Sequence, residues 1–456
     1  MITLRDNQIE PIDKAIAYFQ EKKPKPSLIV LPTAWGKSIL TAFVAKNIND
    51  KILVVQPSKE LLGQNYKKYL SLCEFETNAG IYSASFGRKE IEQITYATIG
   101  SIKSLGAKFK ELGFTKMLID EAHLYPREAD SMLGTFLAES GITHVLGITA
   151  TPIKLQTGRD LSGENFSKLV MLTNRSKKGN FYKKILHIGQ VSEMVKKRYW
   201  SILSYESQHF DDSLLIFNSS KSEYTEESVE SAYYANSITE KLLLSLDNNI
   251  DRKKILVYVP SVKEAIALSF IYPNSGYVHG LQNKKEREDI INQFKEGALR
   301  VIFNVRVLST GFDCPEVDCI ILGMSTASLA LYYQIIGRAT RISPNKKDAK
   351  IIDLTGNYER FGKVEDLHFE QGKSGMWRLF GSNEVLLSGV PIHQIGNITK
   401  KEVEKAEKKE LPSTMPFGKY KDTKLSEIPK SYKKWCVENL DFRNNKLLKT
   451  ALQSSL

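Results

Sequence analysis

Short apolar runs recur along the first 155 residues, each followed by a segment with helical spacing. Leu28-Ile29-Val30-Leu31 precedes a helix predicted from Ser38, and Ile52-Leu53-Val54-Val55 precedes one from Lys59. Lys116–Ile119 and His144–Ile148 complete this set. Runs that are apolar throughout are buried on both faces, and their alternation with helices predicts a parallel sheet covered on both sides. The pattern restarts near residue 254, with strands at Lys254–Val259, Gly276–Val278, Leu299–Phe303, Cys319–Leu322 and Ala349–Leu354 and helices over Ser261–Phe270 and Lys284–Phe294. The expected class is α/β, with two tandem units at 1–155 and 251–358. Residues 156–250, rich in Ser, Asn, Lys and Tyr, read as a linker plus helices packed on the two units. Residues 359–412, with the charged helical run Lys400–Glu410, read as a connector to a small C-terminal unit at 413–456.

At 456 residues the chain is too long for one hydrophobic core. The net charge is +12, and fourteen basic against eight acidic residues from Lys400 onward place +6 of it in the last eighth of the chain. That excess favours a polyanionic partner, although a basic balance also serves solubility alone. The four cysteines form no CxxC pair. Neither zinc nor a disulfide framework is expected, and reduced thiols suit a cytoplasmic setting. The segment Met1–Asp6 has no apolar stretch of the signal-peptide kind, and the longest apolar runs are strand-sized, so no membrane association is expected.

Four clusters carry chemistry. Thr33-Ala34-Trp35-Gly36-Lys37-Ser38 lies between a strand and a helix, where backbone N–H groups and a helix N-terminus face phosphate oxygens. Lys37 would reach the terminal phosphates and the Ser38 hydroxyl would bind Mg²⁺. The match is imperfect: Leu31 and Ala34 stand where such loops often carry glycine. Asp120-Glu121-Ala122-His123 follows a strand and so falls at the sheet edge where ligands of these sheets bind. Asp120 would hold the metal, Glu121 would activate the attacking water, and His123 would sense the cleft. In the second unit, Gln334 opens a run holding Arg338 and Arg341, at i, i+3 on one helix face. These arginines suit charge neutralisation on a transferring phosphoryl group, though taken alone a surface helix paired with carboxylates, the usual fate of arginine, is the favoured reading. Thr310-Gly311-Phe312-Asp313 has the chemistry of a loop touching nucleotide and a sugar-phosphate chain, in residues that turns use anyway.

Their order resembles that of superfamily 2 helicases and translocases over about residues 1–358. The resemblance implies two RecA-like lobes with an ATP cleft between them. It implies that Arg5 and Gln8 read the adenine, that Thr33 to Ser38 with Gly311 and Asp313 hold ATP, and that Asp120, Glu121, Gln334, Arg338 and Arg341 hydrolyse it. It further implies nucleic-acid contacts at Pro57, Ser58, Thr98, Ser101, Ser261, His279 and Thr310, with Thr149-Ala150-Thr151-Pro152 coupling hydrolysis to movement. Asn304–Asp318 and Tyr332–Arg341 are similar to RadD-like and T5-like phage branch-migration helicases, which implies a monomeric motor on forked or branched DNA. The cysteine-rich zinc segment of RadD-like proteins is missing.

The C-terminal unit resembles a small module found behind some nucleases. Its run of Lys419, Tyr420, Lys421, Tyr432, Lys433, Lys434 and Trp435 suits phosphate contact and base stacking, and equally suits a small domain using its aromatics as core. Two rivals to the DNA motor stay open. An RNA helicase is one, although Asp-Glu-Ala-His and Thr-Ala-Thr lean away from the commonest RNA type. A clamp or annealing protein that binds ATP without turnover is the other, kept open by Leu31 and Ala34.

Overall fold

The computed structural model describes residues 3–73, 78–125, 131–159, 163–174, 180–309, 311–372, 375–410, 413–440 and 446–456. Its strands, in chain order, are Ser27–Val30 (β1), Ile52–Gln56 (β2), Ala79–Ser83 (β3), Arg88–Lys89 (β4), Ile94–Thr98 (β5), Lys116–Ile119 (β6), His144–Thr149 (β7), Ile153–Arg159 (β8), Asn165–Met171 (β9) and Lys184–Ile188 (β10). They continue as Leu203–Ser207 (β11), Ile255–Tyr258 (β12), Ser275–Val278 (β13), Val301–Asn304 (β14), Cys319–Leu322 (β15), Ala349–Asp353 (β16), His368–Gln371 (β17) and Trp377–Phe380 (β18). Two sheets dominate. The first has eight strands in the order β10-β1-β7-β6-β2-β5-β3-β4, and the second six in the order β11-β16-β15-β12-β14-β13. Every pairing in them is parallel except β3 with β4. Both α/β lobes expected from the apolar pattern are therefore present.

The continuous apolar runs follow from two-sided burial. Leu28, Leu53, Val55, Met117 and Ile119 feed one core cluster of the first lobe, while Ile29, Val54, Leu118 and Ile148 feed the other. That second cluster continues into the second lobe through Leu256, Ile302, Tyr332, Tyr333 and Ile336, so apolar packing is unbroken from lobe to lobe. Sheet packing leaves no room at Gly147 on β7. A Cβ there would lie 2.5 Å from Tyr182 Oη and 2.7 Å from both Ala122 Cβ and Leu28 Cδ2. Gly147→Ala is expected to destabilise the first lobe by roughly 1–3 kcal/mol, read as a lower midpoint in thermal unfolding. An unchanged midpoint would show that the strand has slack.

The stretch between the lobes is more than a linker with helices. It supplies an edge strand to each sheet: β10 pairs with β1, and β11 with β16. It also contains the antiparallel pair β8–β9, in register from Ile153 with Met171 to Arg159 with Asn165. The helices Glu226–Ala235 and Ile238–Asp247 pack on the second lobe through Ala232, Tyr233, Ile238, Leu242 and Leu246. In the connector, β17 and β18 form a second antiparallel pair. The C-terminal unit has a core of its own, built on Met415, Leu425, Ile428, Cys436, Leu448 and Leu452. Among the described residues no helix is long and apolar enough to cross a membrane.

Candidate active site between the two lobes

Parallel strands end at one edge, and the candidate residues collect there. Val30 pairs with Thr149, Gln56 with Thr98, and Val55 with Ile119. The phosphate loop, Pro57, Thr98, Asp120 and Thr149 thus leave the sheet on the same side. Helix Asp6–Tyr18 (α1) lies beside this edge, helix Lys37–Lys46 (α2) leaves the phosphate loop, and helix Lys59–Leu70 (α3) follows Pro57 and Ser58.

The two departures from the glycine-rich loop have separate explanations. Leu31 extends the strand, with its N–H bonded to the Thr149 carbonyl at 3.0 Å and its side chain fully buried. Ala34 adopts φ 55°, the left-handed region where glycine sits more easily, at a cost of about 1–2 kcal/mol. Gly36 has φ 99°, and a Cβ on it would meet Gln8 Nε2 at 2.6 Å. Gln8 itself is buried, accepting from the Arg5 N–H at 3.0 Å and donating to the Trp35 carbonyl at 2.9 Å. It therefore braces the phosphate loop from beneath. The Arg5 guanidinium lies 4.6 Å from the centre of the Tyr199 ring. The Trp35 ring is core, 1% exposed, so only its backbone is left for a nucleotide, a narrower part than the sequence suggested.

Glu121 follows β6 at φ 47° and its carboxylate pairs with the Lys37 ammonium. Burial opposes its ionisation, but the charges of Lys37, His123 and Arg338 outweigh burial and hold it below the usual carboxylate range. Asp120 differs: burial, then the Glu121 charge, push its carboxyl up to about 6. Its oxygens accept from the Glu121 N–H at 2.9 Å and from Asn65 Nδ2 at 3.1 Å. A buried carboxylate is a hard oxygen donor that fits Mg²⁺, whose charge would favour the ionised form of Asp120. His123 Nδ1 lies 2.8 Å from Thr149 Oγ1 and 3.5 Å from Glu121 Oε2, and its Nε2 lies 3.5 Å from Gln334 Nε2 of the second lobe.

The second lobe meets this site directly. Helix Leu329–Ile336 ends before either arginine, so Arg338 lies in the turn that follows and Arg341 in the irregular chain beyond, and the expected shared helix face is not formed. A Cβ on Gly337 would stand 2.7 Å from Thr33 Cγ2, so glycine is what lets this turn approach the phosphate loop. The Tyr333 hydroxyl oxygen accepts from the Thr33 N–H at 3.2 Å, and Trp200 Nε1 donates to the Thr33 carbonyl at 2.9 Å. Arg338 donates to the Phe312 carbonyl at 2.7 Å, and Arg341 pairs with Asp313. Burial, then the like charge of Arg341, lower Arg338 to about 10, which leaves it charged at neutral pH.

The expected nucleic-acid positions are distributed over both lobes, and several already have intramolecular partners. Ser58 caps α3 by accepting from Leu61, Ser261 caps helix Val262–Ile271 by accepting from Glu264, and Thr98 bonds Ser101 at 2.9 Å. His279 stacks on Tyr277 with ring centres 6.1 Å apart. Gln64 of α3 donates to the Gly311 carbonyl at 3.1 Å, closing the gap between lobes on this side. Thr310 lies outside the described residues.

Asn65, Gln64, Tyr333, Gly337 and Trp200 are absent from the motif-based expectation. Asn65 had a signal: it occupies the buried face of α3 with Leu62 and Tyr69, where a polar residue needs a partner. Gly337 and Tyr333 flank Gln334 and Arg338, but their role is set by Thr33, some 300 positions away. Trp200 carries no local cue.

Residues 1–154 match a family described as the res subunit of type III restriction enzymes, and residues 235–343 match the helicase conserved C-terminal domain. Residues 405–453 match a family known by a provisional description, quorum-sensing-regulated virulence factor. The DNA 3'-5' translocase XPB2 of Sulfurisphaera tokodaii is 26% identical over 390 residues, covering 77% of this chain and 81% of that protein. A 51.5 kDa protein of a Lactococcus phage (isolate 7-9) is 23% identical over 368 residues, covering 79% and 72%. Among solved structures, the ATP-dependent Type ISP restriction-modification enzyme LlaBIII bound to DNA superposes with a TM-score of 0.56 at 15% identity, over 78% of this chain and 28% of that much longer one. That likeness shows the two-lobed fold. With the phosphate loop, the acidic strand end and the paired arginines assembled at one interface, the chain belongs to the superfamily 2 helicases, an ATP-hydrolysing family.

Proposed function

We propose that the chain is an ATP-driven motor that moves along DNA and remodels forked or branched junctions. One observation carries the motor half: the hydrolytic groups are split between lobes, with Glu121 and Lys37 on one and Arg338 on the other, near enough for the Glu121 and Arg338 charges to shift each other. Hydrolysis then requires the interface to be closed, and anything that spans both lobes regulates it. A polynucleotide lying across Pro57, Ser58, Thr98 and Ser101 on one lobe and Ser261, His279 and Thr310 on the other would do so. Contacts to the sugar-phosphate chain make such movement largely independent of sequence.

In this reading Lys37 binds the terminal phosphates and Glu121 takes a proton from the attacking water. Arg338 and Arg341 neutralise charge on the transferring phosphoryl group, and Gly311 and Asp313 line the nucleotide from the second lobe. Mg²⁺, when held by Ser38 and Asp120, would neutralise phosphate charge. His123 connects Glu121 to Thr149 and Gln334, a route by which the lobe interface is felt at the base. DNA as the track is favoured by the translocase relative, and both lobes on one chain suit a monomer working in the cytoplasm.

The test is steady-state ATPase activity with a panel of polymers. Four-way junctions and forks are expected to stimulate turnover more than plain single strands, and RNA least. Equal stimulation by junctions and single strands would remove the branched-DNA part. Stimulation by RNA alone would reassign the track.

A further inference from the structure

We propose that the C-terminal unit is a second nucleic-acid site, separate from the lobes, that takes unpaired bases by stacking on Trp435. Its core closes without that residue: Met415, Leu425, Ile428, Cys436, Leu448 and Leu452 form the cluster, while Trp435 is 50% exposed and Phe417 40% exposed. Tyr432 and Trp435 stand at i, i+3 on helix Lys430–Asn439 and so share a face. Their rings stack with centres 5.9 Å apart and planes 28° from parallel. Tyr420 meets Tyr432 edge-on at 4.8 Å, and Lys419 Nζ lies 5.6 Å from the centre of the Tyr420 ring. The result is an aromatic ladder whose outer rung is open.

The lysines sort into two kinds. Lys433 is 2% exposed and donates to the Leu425 carbonyl at 3.2 Å and to the Ser455 carbonyl, so it belongs to the scaffold. Lys419, Lys421, Lys424, Lys430 and Lys434 are all exposed. An open indole on a unit that also exposes these lysines matches a single strand, whose bases present π-faces and whose phosphates follow at short intervals. A duplex keeps its bases stacked on each other and offers the indole nothing but phosphate. An acidic protein would satisfy the lysines but leave the ladder without a matching face. The charged helix Lys400–Glu410 precedes the unit. A strand held here would stay with the motor while the lobes release and rebind it.

The proposal is tested on the full chain by fluorescence anisotropy with labelled oligothymidylate and, separately, a blunt duplex of equal length, without nucleotide. Trp435→Ala is expected to weaken oligothymidylate binding roughly 10- to 100-fold, with duplex binding little changed. Trp435→Phe, which keeps a stacking face, is expected to restore most of the loss. Lys421→Glu with Lys434→Glu is expected to flatten the dependence of log affinity on log salt by about 1.4, from two fewer phosphate contacts at ~0.7 each. Basal ATPase activity should be the same in all variants. Unaltered oligothymidylate affinity in Trp435→Ala would overturn the proposal, and so would an equal loss on single strand and duplex. Neither result would touch the motor reading, which rests on the lobes alone.

Discussion

Glu121→Gln is expected to lower kcat for ATP hydrolysis by roughly 10²- to 10⁴-fold, the span typical of a lost general base, and to leave ATP binding intact. The expectation comes from how Glu121 is held. Its side chain is only 16% exposed, a setting that by itself would favour the neutral acid. Lys37, His123 and Arg338 overcome that tendency, so the group is kept in the form that accepts a proton. Glutamine keeps the shape and cannot take the proton. It also releases the Lys37 ammonium from a carboxylate partner, so affinity for ATP should hold or rise. Lys37→Ala is the useful contrast, since it removes the cation for the phosphates and should lose binding and turnover together. Turnover measured beside binding of a fluorescent ATP analogue separates the two. Wild-type turnover in Glu121→Gln would place the base elsewhere and would also reopen the reading of a clamp that binds ATP without using it.

Much of this site was legible because its parts are local. The phosphate loop and the acidic box each sit within a few residues of a strand end, and an apolar run followed by Gly-Lys-Ser or Asp-Glu places both at the same sheet edge. The edge strands were harder to read. Lys184–Ile188 and Leu203–Ser207 are polar or half-exposed at most positions, because an edge strand is covered incompletely. They lack the apolar continuity that revealed the central strands, and the region between the lobes therefore reads as linker. Ala79–Ser83 and Ile94–Thr98 are mostly buried, but small residues, glycine and threonine dilute their apolar signal. What the sequence cannot express is a contact whose two halves are far apart. Gly337 against Thr33, Gln64 against Gly311 and Trp200 against the Thr33 carbonyl all depend on how the lobes meet. The cation-aromatic run of the C-terminal unit shows the same limit at short range, since only the fold separates buried Lys433 from exposed Lys434.

Arg338→Ala is expected to reduce polymer-stimulated kcat by roughly 10³- to 10⁵-fold, the range associated with an arginine acting on a transferring phosphoryl group, with a small effect on KM for ATP. Arg338 reaches the cleft from the second lobe, and its charge and that of Glu121 already influence each other. Its guanidinium also donates to the Phe312 carbonyl at 2.7 Å and to the Gln334 carbonyl at 3.3 Å, which fixes its direction. Alanine therefore removes both the charge and the link between the turn after helix Leu329–Ile336 and the loop holding Asp313. Arg338→Lys separates these: a point charge remains, but the planar fork that can hold Phe312 while facing phosphate is lost. Turnover should stay far below wild type in both variants. Arg341 starts from a different position, since it is paired with Asp313 and must exchange that carboxylate for phosphate. Asp313→Asn should then loosen Arg341 without removing it, and a modest change in turnover beside the large loss in Arg338→Ala is the expected contrast. If Arg338→Ala retained most of the stimulated rate while thermal unfolding was unchanged, lobe closure would have to serve some purpose other than delivering Arg338, and coupling between polymer and hydrolysis would have to run through His123, Thr149 and Gln334 alone.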